Sequence, residues 1–350
     1  MRQTWVIWRA YPARRSAASI GVGGDQTFYT TAGILMAEAL RVDPAGSPRA
    51  KSGKDVDPGR LVGPDWLADH LDDADLRLVH VSPDRRVYNK RHIRGAAYSE
   101  LHREIALRGT APETGDAERE WLIPSAEQTE AVLRRWRVGD GDRVVFYDDI
   151  GLNRQAIRGY WILRLYRFPK DRLHILDGGV DAWRRAGHQT TAVIPEPDLA
   201  LAEGRRQPVM LGERDDSIIA TYDQVLAWSK ESSASPDAPT RILDVRTAGE
   251  WVGTDLRARR GGHIPGARNR LFSDLLTDEG TFRPVEEMLS IIRASGADPA
   301  ELRATYCQGG VRAALVWFAL HELAGFEDVR SYAGSWEEWG NLPDSPIDAP

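Results

Sequence analysis

Short runs of aliphatic and β-branched residues alternate along this chain with stretches whose apolar positions recur every three or four residues. In the second half, Thr221 to Lys230 has helical spacing, and Arg241 to Val245 is a short run built on Ile242, Leu243 and Val245, which predicts an amphipathic helix and then a buried strand. The same reading predicts a helix over Glu286 to Ser295, a strand over Ala304 to Tyr306, a helix over Ala313 to Ala324 and a strand over Val329 to Tyr332. Strands that alternate with helices imply a parallel sheet flanked by helices on both faces. Ligands of such sheets bind beyond the carboxyl ends of the strands.

The pattern occurs twice. Leu78-Val79-His80-Val81 matches Ile242-Leu243-Asp244-Val245, and His92-Ile93-Arg94-Gly95-Ala96 matches His263-Ile264-Pro265-Gly266-Ala267. Val144 to Asp148 then lines up with Ala304 to Cys307, and Asp177-Gly178-Gly179-Val180 with Tyr332-Ala333-Gly334-Ser335. Four landmarks in one order identify two homologous α/β domains, at residues 61–191 and 217–346. Residues 192–216 carry proline and charge with little periodicity and read as the linker. Residues 1–60 fit neither repeat. Met1 to Gly24 has four arginines and no acid, which leaves open an organelle presequence, a flexible extension, or a true start at Met36.

Composition narrows the function. A net charge of −6 and the lack of a basic stripe with interleaved aromatics argue against nucleic acid as partner. No apolar window is long enough to span a membrane, so membrane association is not expected. The single cysteine rules out an internal disulfide framework and suits a reducing, cytoplasmic setting.

That cysteine, Cys307, stands where a predicted strand hands over to a predicted helix, in Cys307-Gln308-Gly309-Gly310-Val311-Arg312. Unpaired backbone N–H groups and the positive end of the helix dipole favour a thiolate there, and the same groups can hold an anion. The two glycines let successive N–H groups turn inward. Arg312 either clamps an anion with its guanidinium or pairs with a carboxylate to hold the loop. A phosphate-cradling Cys-x5-Arg loop would need arginine at position 313, which is Ala313. The tighter loop suits a single bound sulfur atom.

This loop resembles the active-site loop of the rhodanese family of sulfurtransferases. Three further motifs extend the resemblance over residues 61 to about 346: Asp244-Val245-Arg246 with Glu250-Trp251, Gly262 to Ala267, and Gly334-Ser335-Trp336-Glu337-Glu338-Trp339-Gly340. It implies a tandem-domain sulfurtransferase of the thiosulfate or 3-mercaptopyruvate type, with a catalytic second domain and a degenerate first one. Asp148 at the position of Cys307 agrees, because a carboxylate cannot carry a transferable sulfur. The implied chemistry passes sulfur through a Cys307 persulfide from an anionic donor to a thiophilic acceptor such as cyanide, a thiol or a protein sulfur acceptor. It needs no metal or organic cofactor.

Other residues carry paired readings. Asp244 orients the site or caps a turn; Arg246 meets donor oxygens or forms a salt bridge. His263 reads as structural, and Trp336 and Trp339 as core. Glu250 would repel an anionic donor unless a salt bridge engages it, and Arg257, Arg259 and Arg260 are candidates for compensating charge. Two rival functions remain: a phosphatase or arsenate reductase sharing the fold, and a binding or sulfur-carrier module without turnover.

Overall fold

The computed structural model describes residues 59–110, 118–150, 152–202, 204 and 206–349. Expectations for the amino-terminal extension and Met36 lie outside the described residues, apart from Gly59 and Arg60. The first half runs β1 (Leu61–Val62), α1 (Pro64–His70), β2 (Leu76–Ser82), α2 (Arg85–Lys90), β3 (Ala97–Glu100), β4 (Leu107–Thr110), β5 (Glu118–Leu122), α3 (Ala126–Arg135), β6 (Arg143–Asp148), α4 (Arg154–Leu165), β7 (Leu173–Leu176) and α5 (Gly179–Arg185). After α6 (Leu199–Ala202), the second half runs α7 (Tyr222–Ser232), β8 (Ile242–Asp244), α8 (Ala248–Trp251), β9 (Arg268–Asn269), α9 (Val285–Arg293), β10 (Ala304–Tyr306), α10 (Val311–Trp317), β11 (Arg330–Ser331) and α11 (Ser335–Trp339).

Each half builds its own parallel sheet, in the order β1-β7-β6-β2-β3 for the first and β11-β10-β8-β9 for the second. Side chains alternate across a strand, so the apolar runs supply two faces. In the first sheet Leu78, Val145 and Tyr147 pack with Leu67 of α1 and Trp183 of α5, while Val79, Val144 and Phe146 face α4. In the second, Ile242, Ala304 and Tyr306 pack with Val225 of α7, while Leu243 and Val245 face α10.

The local signals explain the element ends. Thr221 caps α7 by accepting the Gln224 N–H at 3.3 Å, and the Gln224 side chain accepts the Thr221 N–H at 3.0 Å. The helix expected over Ala313 to Ala324 begins two residues earlier, after Gly310, and changes to a wider π-type turn over Phe318–Leu323. The linker lies along the first half: Arg206 joins Asp198 and Asp142, and Asp215 N–H donates to Leu165 C=O at 2.7 Å. No helix among the described residues is long and apolar enough to cross a membrane.

The repeat is visible in hydrogen bonds. Tyr147 Oη accepts the Ile93 N–H at 3.0 Å, and Tyr306 Oη accepts the Ile264 N–H at 3.2 Å. These tyrosines are equivalent, so the residues after them, Asp148 and Cys307, are equivalent as well. Asn153 and Gly310, both in left-handed conformation, start the following helices α4 and α10.

Helices α4 and α10 then meet, and the inner faces of both sheets share one continuous apolar core. Tyr160 of α4 packs edge-on against Phe318, with ring centroids 4.9 Å apart. Beside it the Glu322 carboxylate accepts from Arg164 at 3.0 Å, Tyr160 Oη at 3.0 Å and Arg60 at 3.3 Å. Burial works to raise the Glu322 pKa, but His321 and Arg164 hold it down at about 2.

Glu322→Gln should therefore cost about 2–3 kcal/mol at neutral pH, less than a fully buried pair because the arginines keep some solvent contact. Since the folded-state pKa lies below the ordinary 4.5, this advantage of the parent chain is complete above that value. It should shrink as pH falls toward 2, which urea denaturation of both proteins at pH 7 and pH 3 will measure.

Candidate active site

Cys307 directly follows β10, at the carboxyl edge of the second sheet. Its Sγ accepts the Gly310 N–H at 3.1 Å, so the loop closes on the sulfur through a backbone donor. Gly310 has φ 88°, a conformation glycine adopts without penalty. The cysteine backbone is pinned on both sides: its N–H donates to Ser335 Oγ at 3.2 Å, and its C=O accepts the Trp336 N–H at 2.9 Å. Ser335 in turn donates to Tyr332 C=O at 2.7 Å. Gln308 donates its side-chain amide to Arg257 C=O at 2.9 Å, which holds it at the rim. Val311 is the first residue of α10 and is buried.

Arg312 closes the loop by a route that differs from an anion clamp. Its two terminal nitrogens donate to the two oxygens of Glu250, each at 2.7 Å. Glu250 is fully buried and also accepts the Thr247 N–H at 3.1 Å as part of a capping box on α8. Burial would raise the Glu250 pKa, but the Arg312 fork holds it down at about 2. Burial likewise opposes the Arg312 charge, and Glu250 keeps it above the ordinary arginine value. Of the two readings of Arg312, these contacts match the pairing with a carboxylate that braces the loop, and that carboxylate is Glu250.

Of the two readings of Arg246, the contacts match the salt bridge. Only 1% of its side chain is exposed, and it donates to both oxygens of Asp244 at 2.9–3.0 Å and 2.6 Å and to Gly262 C=O at 2.8 Å. Its guanidinium also lies over the Trp336 ring at 4.4 Å. Asp244 orients Arg246, and together they tie β8 to the Gly262 turn. Trp336 and Trp339 are buried in the core, and His263 stacks on Trp251 with centroids 3.4 Å apart.

Of the three-arginine cluster, Arg257 pairs with Asp255 at 2.9 Å. Arg260 donates to Ser345 C=O at 2.9 Å and to Trp339 C=O at 3.2 Å. Arg259 is exposed, and its backbone N–H donates to Asn341 at 2.9 Å.

Among the described residues of the first half, Trp121, Arg158 and Arg154 border the cysteine loop, and the sequence reading missed them. Trp121 of β5 lies directly over Gly309: a Cβ built there would stand 1.9 Å from its ring. Arg158 of α4 lies beside Gly310, with Nη1 3.1 Å from the Cβ position. Arg154, one turn earlier, is also within electrostatic reach of the sulfur. The available signal was a pair of arginines four residues apart at the start of a largely apolar helix, directly after the degenerate Asp148 loop. Under this cover Cys307 is only 1% exposed. Asp148, fully buried at the matching position of the first half, has its carboxyl pushed up to about 6 by burial.

A nucleophilic sulfur with a backbone donor on it, in a loop ringed by arginines, can attack an electrophilic sulfur and hold the product as an anion. Comparisons with known proteins agree. The family profile of the rhodanese-like domain matches residues 63–186 and again 225–342. A thiosulfate sulfurtransferase of Corynebacterium glutamicum is 33% identical over 300 residues, covering 83% of this chain and 91% of the relative. A sulfur carrier protein of Thermus thermophilus is 30% identical over 298 residues, covering 83% and 96%. The crystal structure of SseA from Escherichia coli, a 3-mercaptopyruvate sulfotransferase, superposes with a TM-score of 0.64 at 23% identity, covering 79% of this chain and 99% of that one.

Two outcomes follow from the geometry. Arg312→Ala leaves the buried Glu250 with only the more distant Arg257, at 3.8 Å, so it should cost about 3 kcal/mol, and a double-mutant cycle with Glu250→Ala should return a coupling of about 2–3 kcal/mol by chemical denaturation. A coupling near zero would remove the brace. Trp121→Ala should speed alkylation of Cys307 by neutral iodoacetamide roughly tenfold, as opening the cover becomes easier.

Proposed function

The chain belongs to the rhodanese-like domain family, and from that premise we propose that it is a sulfurtransferase working through a Cys307 persulfide. The observation that carries this reading is the 3.1 Å contact of the Gly310 N–H with Cys307 Sγ, inside a loop one residue too short for a phosphate cradle. The Cys307 thiolate attacks the outer sulfur of an anionic donor such as thiosulfate. The bond between the two donor sulfurs breaks, and its electron pair leaves with sulfite. With 3-mercaptopyruvate as donor, the carbon–sulfur bond breaks instead, and the organic fragment takes up a proton and leaves as pyruvate. The terminal sulfur of the persulfide is then taken by a nucleophile, and the cysteine returns as thiolate.

Several features support this sequence of steps. The Gly310 N–H offers the sulfur a fixed donor that needs no reorganisation during the reaction. Ser335 and Trp336 hold the cysteine backbone, so the attacking atom is set before the donor arrives. Thiosulfate is the preferred donor in this reading, in accord with the name of the Corynebacterium relative. Cyanide and low-molecular-weight thiols are the acceptors, with a protein acceptor supported by the name of the Thermus relative. We place the reaction in the cytoplasm, whose reducing poise keeps a lone nucleophilic cysteine available.

Intact-mass measurement after incubation with thiosulfate should show the gain of one sulfur atom on the parent chain and none on Cys307→Ala. Addition of cyanide should reverse the gain and release thiocyanate. Phosphate release from an aryl phosphate without any thiocyanate would overturn the proposal. Comparison of kcat/KM for thiosulfate and 3-mercaptopyruvate then ranks the donors.

A further inference from the structure

The arginines that the catalytic half could offer a donor are largely engaged. Arg312 is held by Glu250, Arg246 by Asp244, Arg257 by Asp255, and Arg260 by backbone carbonyls. An anionic donor still needs positive charge near Cys307.

Helix α4 brings that charge from the other half. Arg154 and Arg158 are four residues apart, so they lie on one face of the helix. Arg158 is fully buried. Its Nε and Nη2 donate to Ile105 C=O and Trp121 C=O, each at 3.2 Å, while Nη1 has no hydrogen-bond partner among the described residues and lies beside Gly310, the residue whose N–H contacts Sγ. Among the described residues the titratable group that acts on it is Cys307, and no carboxylate does. A buried guanidinium with an idle donor and no carboxylate is costly unless an anion completes its surroundings. Burial pushes the Arg158 pKa down to about 10, against the opposing pull of Cys307, so the group stays charged at neutral pH. Arg154 is partly buried, forms no ion pair among the described contacts, and feels Asp148, Arg312 and Cys307.

We propose that Arg154 and Arg158 form the seat for the anionic group of the sulfur donor, so that the half without a nucleophile binds what the other half attacks. The ligand class is a small oxyanion, the sulfonate end of a thiosulfate or the carboxylate of a mercapto acid. This rests on the sulfurtransferase reading for the identity of the donor, but the seat itself can be probed without sulfur transfer.

The probe is the ratio of Cys307 alkylation rates with anionic iodoacetate and neutral iodoacetamide, on the full-length chain. Arg154→Gln and Arg158→Met should each lower that ratio about tenfold or more, as loss of a charge-assisted contact predicts. Arg158→Lys should restore most of it, and thermal melts will show which variants are folded. KM for thiosulfate should rise by a similar factor, with kcat falling less. Sulfite should protect the parent chain from iodoacetate better than it protects Arg154→Gln. The remaining charges near the sulfur, Arg312 with Glu250 and the buried Asp148, are common to all of these variants.

An unchanged ratio and KM in folded Arg154→Gln would overturn the proposal. So would a fall in the ratio that appears only in Arg259→Gln, because the donor charge would then be met by the second half. If the parent chain forms no persulfide and the ratio still falls in the α4 variants, the seat stands and the sulfur-transfer reading fails.

Discussion

The packing of α4 against α10 is the constraint on which the site depends. Each helix follows the strand-end loop of its own half, so their contact sets the two loops side by side around one shared core. Tyr160 against Phe318, with Glu322 drawing Arg164 and Arg60 to the same seam, keeps the halves from sliding. A shift at this seam would carry Arg158 away from Gly310 and Trp121 away from Gly309.

Within the second half, charge serves mainly as framework. Glu250 and Arg312 tie α8 to the start of α10, and Asp244 with Arg246 ties β8 to the Gly262 turn. Buried pairs of this kind contribute little net stability because desolvation offsets attraction, but breaking one leaves an unpaired charge inside the protein. Their value lies in geometry. They hold the two sides of the cysteine loop at a fixed separation, which the contact of Gly310 with the sulfur requires.

The first half shows what duplication leaves behind. Asp148 occupies the position of Cys307 and is buried to the point that its carboxyl is pushed up to about 6. Its loop to the next helix is two residues longer than the cysteine loop, with Asn153 where the second half has Gly310. The nucleophile is gone, yet the helix after the loop still points into the active region. What that helix carries there is arginine rather than a second reacting atom.

Periodicity and the internal repeat were sufficient to read two α/β domains with parallel sheets, the main strands and helices of the second and the equivalence of Asp148 with Cys307, because burial on alternate faces writes itself into the residue pattern. The cysteine loop was legible for the same reason: strand, glycines and helix are adjacent in the chain. The partners of Arg312 and Arg246 were legible only as alternatives, since a guanidinium suits a substrate oxyanion and a carboxylate equally well. Choosing between them took the three-dimensional position of Glu250, 62 residues away from Arg312 in sequence, and the burial of Asp244. The approach of Trp121, Arg154 and Arg158 to the sulfur was decided by tertiary structure alone. Contacts across a domain seam depend on how two independently patterned helices pack, and no local spacing encodes that.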